Sequence, residues 1–377
     1  MSNTNRMLDL LWLVGYCGEF PSDLAVRVRG HPEWNRHVKY RALELGYLDL
    51  YRAETRRRVI RSLRLTDTGL QYIGDRAPTA LSYILAKRDQ AEKAHSSLEK
   101  IMRAHSVAYG FVMSMKAGAL FLPPDKPSLL LKQDTGYGKG PADTSKLYYY
   151  SPQEIRYAIQ EYDERTVAKT SRLIGILVRD SHCYCMYFTG SGRMYWSKSS
   201  EDNTVSSIEQ LLAARGLECT AFSQLIIGRS MEVARRIGKY QVDTLDRYFT
   251  VASNYQHCFF VENNAAGDEL LSLIVNPQKQ IRFNRRVLAP YRPPKEPTRA
   301  YDAVTPDGEQ PVTLGYQCDL RALLDTDHAI PGFSRRPIIL CFDYQADAIQ
   351  DIVGSLTEVR PIIGGNEFYE EKNHNCD

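Results

Sequence analysis

The chain has 377 residues, of which 43% are hydrophobic and 25% are charged, and its formal net charge is +3 at pH 7. That length is sufficient for two or three domains with a substantial core. No apolar run approaches the ~20 residues of a membrane span, and the first residues lack the apolar segment of a signal peptide. The eight cysteines are scattered, which favours reduced thiols over a disulfide scaffold. We therefore expect a cytoplasmic protein that does not enter a membrane.

Three short helical patterns precede two strand patterns in the first 77 residues. A helix is predicted over residues 4–16, because apolar side chains there form one wide face. A second helix is predicted to open at residues 20–23, where a proline suits the first turn. A third is predicted over residues 32–45. Alternation of apolar and polar residues then predicts strands over residues 48–52 and 59–66.

The third helix is predicted to have an apolar inner face and a polar outer face. At about 100° per residue, four side chains fall on the inner side: Trp34, Val38, Ala42 and Leu45. Arg36, Lys39 and Tyr40 fall opposite, with Asn35 beside them toward the N-terminal end. Long donors on the outer face of a docked helix can reach base edges in a major groove. A solvated basic helix is the alternative interpretation.

The loop between the two predicted strands carries three consecutive arginines, Arg56, Arg57 and Arg58. Arginine at a hairpin tip can contact phosphates or enter a minor groove. Pairing of the strands would also bring Arg52 and Arg61 to the same face. Unpaired surface arginines are the alternative account of this loop.

The segment from Arg27 to Arg64 is strongly basic. It holds eleven Lys or Arg and four Asp or Glu, a formal charge of +7 in a chain whose total is +3. A locally basic element on a nearly neutral protein is expected of a phosphate-binding face. We therefore predict that this segment binds duplex DNA, and that residues 1–118 do so by themselves.

The remainder of the chain is predicted to be a helical extension, a linker and an α/β domain. Helical spacing continues over residues 78–122, with a break near His95 or His105, and His105 is interpreted as a core histidine. Glycine and proline mark a linker over residues 123–147. Residues 148–377 alternate between strand and helix patterns, which predicts a mixed sheet. Strands are predicted over residues 193–197 and near Leu271 and Ile281, and residues 290–311 are predicted to be an exposed insertion.

Two short segments resemble the winged helix-turn-helix superfamily. Leu45-Gly46-Tyr47-Leu48 is similar to the turn from the recognition helix into the wing. Residues 65–70 (LTDTGL) are similar to the start of the helix after the wing. The order of three helices followed by a hairpin with a basic tip is also the order of that superfamily.

Four further segments carry a resemblance to one family. They are residues 102–108 (MRAHSVA), 151–156 (SPQEIR), 171–177 (SRLIGIL) and 192–198 (GRMYWSK). They look like landmarks of the replication-relaxation family of plasmids and integrative mobile elements. Its members place a winged helix before a helix with a central histidine and an α/β domain related to the PD-(D/E)XK nuclease fold. The resemblance covers the first half of the chain well. In the remainder it is limited to the general alternation of strand and helix patterns.

An active nuclease of that fold needs one acidic residue on a strand and an acid-x-Lys motif on the next strand. The two acids bind Mg²⁺ together. Asp180 and Lys198 could supply the first acid and the lysine, but Trp196 stands where the second acid belongs. A relaxase needs a His-x-His pair, which the sequence lacks. A zinc site could draw on His182, Cys183, Cys185, His257 and Cys258. Strand alternation puts Cys183 and Cys185 on one face and His182 on the other. Buried structural thiols are favoured, because the sequence has no Cys-x-x-Cys pair.

The sequence thus predicts an α+β protein: residues 1–77 form a winged helix-turn-helix, residues 78–122 a helical extension, residues 123–147 a linker, and residues 148–377 a degenerate nuclease-like α/β domain with a mixed sheet.

The predicted function is sequence-specific binding of double-stranded DNA, in replication or conjugative transfer of a bacterial mobile element, as a non-catalytic accessory factor. Further expected partners are replication or transfer proteins and a second copy of the chain. No cofactor, catalytic residue or metal ligand is predicted. Nine residues are predicted to contact DNA: Asn35, Arg36, Lys39, Tyr40, Arg52, Arg56, Arg57, Arg58 and Arg61.

Two other functions remain open at this stage. One is a metal-dependent nuclease or relaxase-like DNA-nicking enzyme, which Mg²⁺-dependent nicking would identify. The other is a transcriptional regulator with an α/β sensor domain, which its gene neighbourhood would distinguish.

Overall fold

The computed structural model describes residues 3–54, 59–88, 97–122, 125–129, 143–162, 172–192, 194–240, 248–251, 255–294, 300–326 and 330–362. These residues form a mixture of helices and strands with three sheets, in agreement with the predicted α+β class. Among them, no helix is both long enough and apolar enough to cross a bilayer.

The N-terminal part combines helices with a small antiparallel sheet. Its elements in chain order are α1 (Asn3–Cys17), β1 (Phe20–Pro21), a 3-10 turn (Leu24–Arg27), α2 (Pro32–Glu44), β2 (Leu48–Glu54), β3 (Val59–Leu65), α3 (Asp67–Gly74), α4 (Pro78–Arg88) and α5 (Leu98–Lys116). The sheet order is β1-β3-β2. The helix predicted to open at residue 20 is wrong, because Phe20 and Pro21 pair with Leu63 and Ser62 of β3. Only the short 3-10 turn follows.

The sequence also predicted a helix after the hairpin and a helix break near His95 or His105. Thr66 caps α3, since its side chain accepts a hydrogen bond from the Gly69 amide, so a helix does follow the hairpin. The helix α5 runs without interruption through His105, so no break occurs there. The alternative position, His95, lies outside the described residues.

The central sheet has five strands, and helices cover both of its faces. The strands are β4 (Tyr148–Tyr150), β5 (Leu173–Arg179), β6 (His182–Gly190), β7 (Ala221–Gly228) and β8 (His257–Glu262), which lie in that order. Their pairing is antiparallel from β4 to β6 and parallel from β6 to β8, so this sheet is mixed as predicted. The helices between these strands are α6 (Pro152–Tyr162), α7 (Lys198–Ala213) and α8 (Met231–Lys239).

A smaller mixed sheet follows. The remaining elements are α9 (Ala265–Ile274), α10 (Pro277–Leu288), β9 (Ala303–Val304), β10 (Pro311–Leu314), α11 (Leu320–Leu324), β11 (Ile338–Cys341), α12 (Ala346–Val353) and β12 (Glu358–Pro361). The sheet order is β12-β11-β10-β9.

Three sequence predictions for this half are corrected. Leu271 and Ile281 lie in helices, because short apolar runs are ambiguous between strand and helix. Residues 290–311 are not simply an exposed insertion, because Ala303 is buried and belongs to β9. Among residues 194–197 only Tyr195 makes a strand-like contact, an isolated bridge to Tyr248.

One hydrophobic core joins the N-terminal helices to the central sheet. Leu10 of α1, Phe111 of α5, Ile174 of β5 and Met186 of β6 all belong to it. Because α5 packs on both β1 and the central sheet, cutting the chain after residue 118 would expose an apolar face that is buried in the whole protein. The expectation that residues 1–118 act alone therefore conflicts with the packing, and the whole chain is the form to test.

Candidate nucleic-acid interface

The hairpin of β2 and β3 places two arginines side by side. Arg52 and Arg61 are directly paired across the strands and both are exposed, so the prediction that they share a face is confirmed. At the base of the hairpin, Leu48 pairs with Leu65 and both are buried, which fixes the register. Like charges directly opposite each other destabilise a hairpin by up to about 1 kcal/mol. An anion held between the two guanidinium groups would remove that repulsion.

Among the described residues, no carboxylate forms a salt bridge with Arg52 or Arg61. The three arginines predicted at the tip, Arg56, Arg57 and Arg58, lie outside the described residues.

The helix α2 begins with Pro32 at its first position and docks on the 3-10 turn and on α1. Ala42 is fully buried and Val38 is half-buried. Asn35 is only 4% exposed, and its Nδ2 donates a hydrogen bond of 2.9 Å to the carbonyl oxygen of Val28. The placement of Asn35 on the outer face is therefore wrong, because its amide secures the turn that precedes the helix.

The predicted apolar face of α2 is also rotated from the observed one. Trp34 is 41% exposed and Leu45 is 38% exposed, so the prediction that both belong to the core is wrong. The guanidinium of Arg6 lies 6.0 Å from the centre of the Trp34 ring. A polar residue, Asn35, takes the inward position that hydrophobicity alone assigns to its neighbour Trp34.

Arg36, Lys39 and Tyr40 reach the surface of α2 to different degrees. Tyr40 is 59% exposed, and the Lys39 ammonium lies 4.9 Å from its ring centre. Lys39 Nζ is 3.5 Å from the carbonyl oxygen of Ser22. Arg36 is exposed and forms an ion pair of 2.6 Å with Glu33. Because exposed ion pairs contribute about 0–1 kcal/mol, Arg36 can exchange Glu33 for another acceptor at little cost.

Part of the predicted basic charge is used inside the protein. Arg27 contacts the buried carboxylate of Asp268 at 2.8 Å, Arg64 contacts Glu19 at 2.6 Å, and Arg29 donates to the carbonyl oxygen of Met115 at 3.0 Å. The charge of +7 in this segment therefore overstates what a ligand can meet. The partner of Arg27 could not be inferred from sequence patterns, because it lies 241 positions away.

A second basic surface lies on α10. Arg282, Arg285 and Arg286 are exposed on this helix, which contains no acidic residue. The strand predicted near Ile281 gave no indication of this surface. The available signal was the stretch from Leu270 to Lys295, which has six Lys or Arg and no Asp or Glu.

The residues considered for a nuclease centre do not converge. Asp180 sits in the two-residue turn between β5 and β6 with a φ of 51°, and its side chain is 55% exposed. Lys198 begins α7, beyond the other end of β6. A strand of nine residues at about 3.3 Å per residue separates the two ends by roughly 25–30 Å. Asp180 and Lys198 therefore cannot bind the same ion in this fold.

The histidines and cysteines considered for zinc make other contacts. Cys183 and Cys185 are fully buried on one face of β6, and burial raises the pKa of the Cys183 thiol. On the other face, His182 Nε2 lies 2.7 Å from Ser223 Oγ. His257 Nδ1 lies 2.7 Å from Asp319 Oδ2. Within the described residues, no group of three His, Cys, Asp or Glu is placed to hold a metal ion.

His105 is a core residue, as predicted. It is 6% exposed, and its Nε2 lies 3.0 Å from the hydroxyl oxygen of Ser62 on β3. The contact joins α5 to the back of the β2–β3 hairpin and so helps to position the strand that carries Arg61.

Comparisons with protein-family models, with curated proteins and with solved structures find no match for this chain. No relative therefore supplies a family or a function.

Proposed function

We propose that the chain is a sequence-specific double-stranded-DNA-binding protein of a bacterial mobile element, acting in replication or transfer as a non-catalytic accessory factor. The observation that carries the proposal is the exposed pair Arg52 and Arg61, directly opposite on a hairpin that contacts α2. A duplex presents about one negative charge per 1.7 Å of its axis. Adjacent phosphates are thus suitable anions for a pair of guanidinium groups that otherwise repel each other.

In this proposal the first 77 residues form a winged helix-turn-helix. The 3-10 turn and α2 would be the two helices of the motif, and β2 with β3 would be the wing. The outer face of α2, with Arg36 and Tyr40, would lie in the major groove, where arginine can donate two hydrogen bonds to guanine. The hairpin would contact the phosphate backbone, which positions the protein without reading sequence.

The central sheet is proposed to be a nuclease-like scaffold without nuclease chemistry. Trp196 stands where the metal-binding acid of such an enzyme is expected, and Asp180 and Lys198 lie at opposite ends of β6. The scaffold would serve contacts with replication or transfer proteins of the element.

The test is a salt titration of the whole chain against a duplex of random sequence. The double variant Arg52→Gln/Arg61→Gln should bind more weakly, and the slope of log K against log salt should fall by about 0.9 for each lost phosphate contact. The matched control is Arg236→Gln/Lys239→Gln on α8. It removes the same charge from side chains that are 47% and 44% exposed and already paired with Glu232 and Asp351. An unchanged slope in the hairpin variant, or no duplex binding by the wild type, would contradict the proposal.

A further inference from the structure

The helix α10 is firmly held by its inner face. Phe283 is 2% exposed and packs edge-on against Tyr316, with ring centres 4.6 Å apart. The side chain of Asn276 caps the helix by accepting a hydrogen bond from the Lys279 amide. Substitutions on the opposite face can therefore be made without disturbing the docking of the helix.

The outer face of α10 is basic, and the helix itself contains no acidic residue. Arg282 is followed one turn later by Arg285 and Arg286, so like charges meet at spacings of three and four residues, which destabilises a helix. Among the described residues, no carboxylate forms an ion pair with Arg282 or Arg285. The helix dipole favours cations in the last turn, but Arg282 is in the middle of the helix, where that effect has faded.

The helix α8 is also basic, but its cations are paired with acidic side chains of the same protein. Its three cations, half-buried Arg235 and exposed Arg236 and Lys239, contact Glu232 or Asp351 at 2.6 to 3.0 Å. The contrast indicates that the charge of α10 has an external partner.

Contacts between the described residues fix α10 relative to α2. Arg27, at the end of the 3-10 turn before α2, donates to Asn263, which precedes α9, and to Asp268 in the first turn of α9. Only Val275 and Asn276 separate α9 from α10, and the two helices pack together. When α2 binds a duplex, α10 is therefore held at a fixed distance from α2 and so from that duplex.

We infer that α10 is a second DNA-contacting element, and that Arg282 and Arg285 bind the phosphate backbone of duplex DNA. The inference takes the identity of the polyanion from the proposed function, but it does not depend on the hairpin. A duplex is favoured because its phosphates, about one charge per 1.7 Å of axis, are spaced densely enough to meet two guanidinium groups whose residues are about 4.5 Å apart along the helix axis. Exposed Ile281 is the only large apolar side chain accompanying this stripe among the described residues of α10, which gives little apolar area for a lipid surface.

The experiment compares Arg282→Gln/Arg285→Gln with the α8 control Arg236→Gln/Lys239→Gln, both in the whole chain. Binding to a random duplex is measured by anisotropy between about 50 and 200 mM salt, where each phosphate contact contributes about 0.9 to the slope. We expect the slope of log K against log salt to fall by up to about 1.8 in the α10 variant and to stay unchanged in the control. Equal slopes for the α10 variant and the wild type would overturn the inference.

Two further arms separate this inference from the proposed function. If the α10 variant loses slope while Arg52→Gln/Arg61→Gln does not, the second site stands and the assigned wing fails. If only the hairpin variant loses slope, the wing stands and the α10 site fails. The second arm uses anionic vesicles containing phosphatidylserine in place of the duplex. Loss of vesicle binding with unchanged duplex binding in the α10 variant would assign the helix to a membrane surface and overturn the inference.

Discussion

The carboxylate of Asp268 lies 2.8 Å from the guanidinium of Arg27, although the two residues are 241 positions apart in the chain. Asp268 is 2% exposed and also receives the ammonium of Lys116 at 2.6 Å. Three segments, the 3-10 turn, the end of α5 and the start of α9, thus converge on one buried carboxylate. This contact makes the proposed DNA-binding part and the rest of the protein a single body.

We expect Asp268→Asn to destabilise the folded protein. Removing one partner of a fully buried ion pair costs about 3–5 kcal/mol. Here the loss in the free energy of unfolding should be smaller, about 2–3 kcal/mol, because the side chains of Arg27 and Lys116 remain 22% and 28% exposed to water. Chemical denaturation of the whole chain measures it. Arg335→Gln, which removes an exposed cation paired with Glu309, is the control that should change stability little. Equal stability of Asp268→Asn and the wild type would show that the contact does not hold the parts together.

The packing of α5 on the central sheet gives a second prediction. A Cβ atom added at Gly110 would lie 2.6 Å from Cδ1 of Ile174. Overpacking costs about 1–3 kcal/mol, and the helix propensity of alanine returns up to about 1 kcal/mol. Gly110→Ala should therefore be destabilising by about 0–3 kcal/mol.

The second substitution that tests this contact is Ile174→Val, which removes Cδ1. If the contact is real, the double variant Gly110→Ala/Ile174→Val should lose less stability than the sum of the single variants. Strict additivity in a double-mutant cycle would contradict the close approach of α5 to β5.

The β2–β3 hairpin was predictable, whereas the orientation of α2 was not. Strand alternation has a period of two, so the register that buries Leu48 and Leu65 also pairs Arg52 with Arg61. The orientation of α2 depends on the hydrogen bond from the Asn35 side chain to the carbonyl oxygen of Val28, which hydrophobic periodicity does not encode. The ion pair of Arg27 with Asp268 and the basic face of α10 depend on tertiary structure in the same way.

Asp180→Ala and Lys198→Ala should leave duplex binding unchanged and reveal no lost cleavage activity. The reason is geometric, because Asp180 precedes β6 and Lys198 lies beyond its other end, so the two side chains cannot share a metal ion. Nicking of supercoiled plasmid with Mg²⁺ or Mn²⁺ is the assay. Metal-dependent cleavage by the wild type that disappears in either variant would establish the nuclease alternative.

His182 should make stability depend on pH in the acidic range. Burial, aided by the nearby His257, lowers the pKa of His182 from 6.5 to about 4. The unfolded chain then binds a proton that the folded chain does not between these two values. Stability should therefore be highest above pH 6.5 and fall as the pH drops toward 4, by at most about 1.4 kcal/mol per pH unit for this group. Denaturation midpoints of the wild type and His182→Asn across this range measure the difference. A decline of the same slope in both proteins would assign the acid sensitivity to other groups.

The most direct test of sequence-specific DNA binding is selection of bound duplexes from a random pool by the whole chain. We expect the selection to enrich a sequence that the wild type prefers over its scrambled counterpart. Arg36→Ala should lower that preference, because loss of a bidentate base contact costs about 1–3 kcal/mol of discrimination. Arg52→Gln/Arg61→Gln should weaken binding to both duplexes and leave their ratio nearly unchanged. Retention of duplexes with no enrichment over the starting pool, or a preference that depends on the hairpin arginines and not on Arg36, would contradict the account.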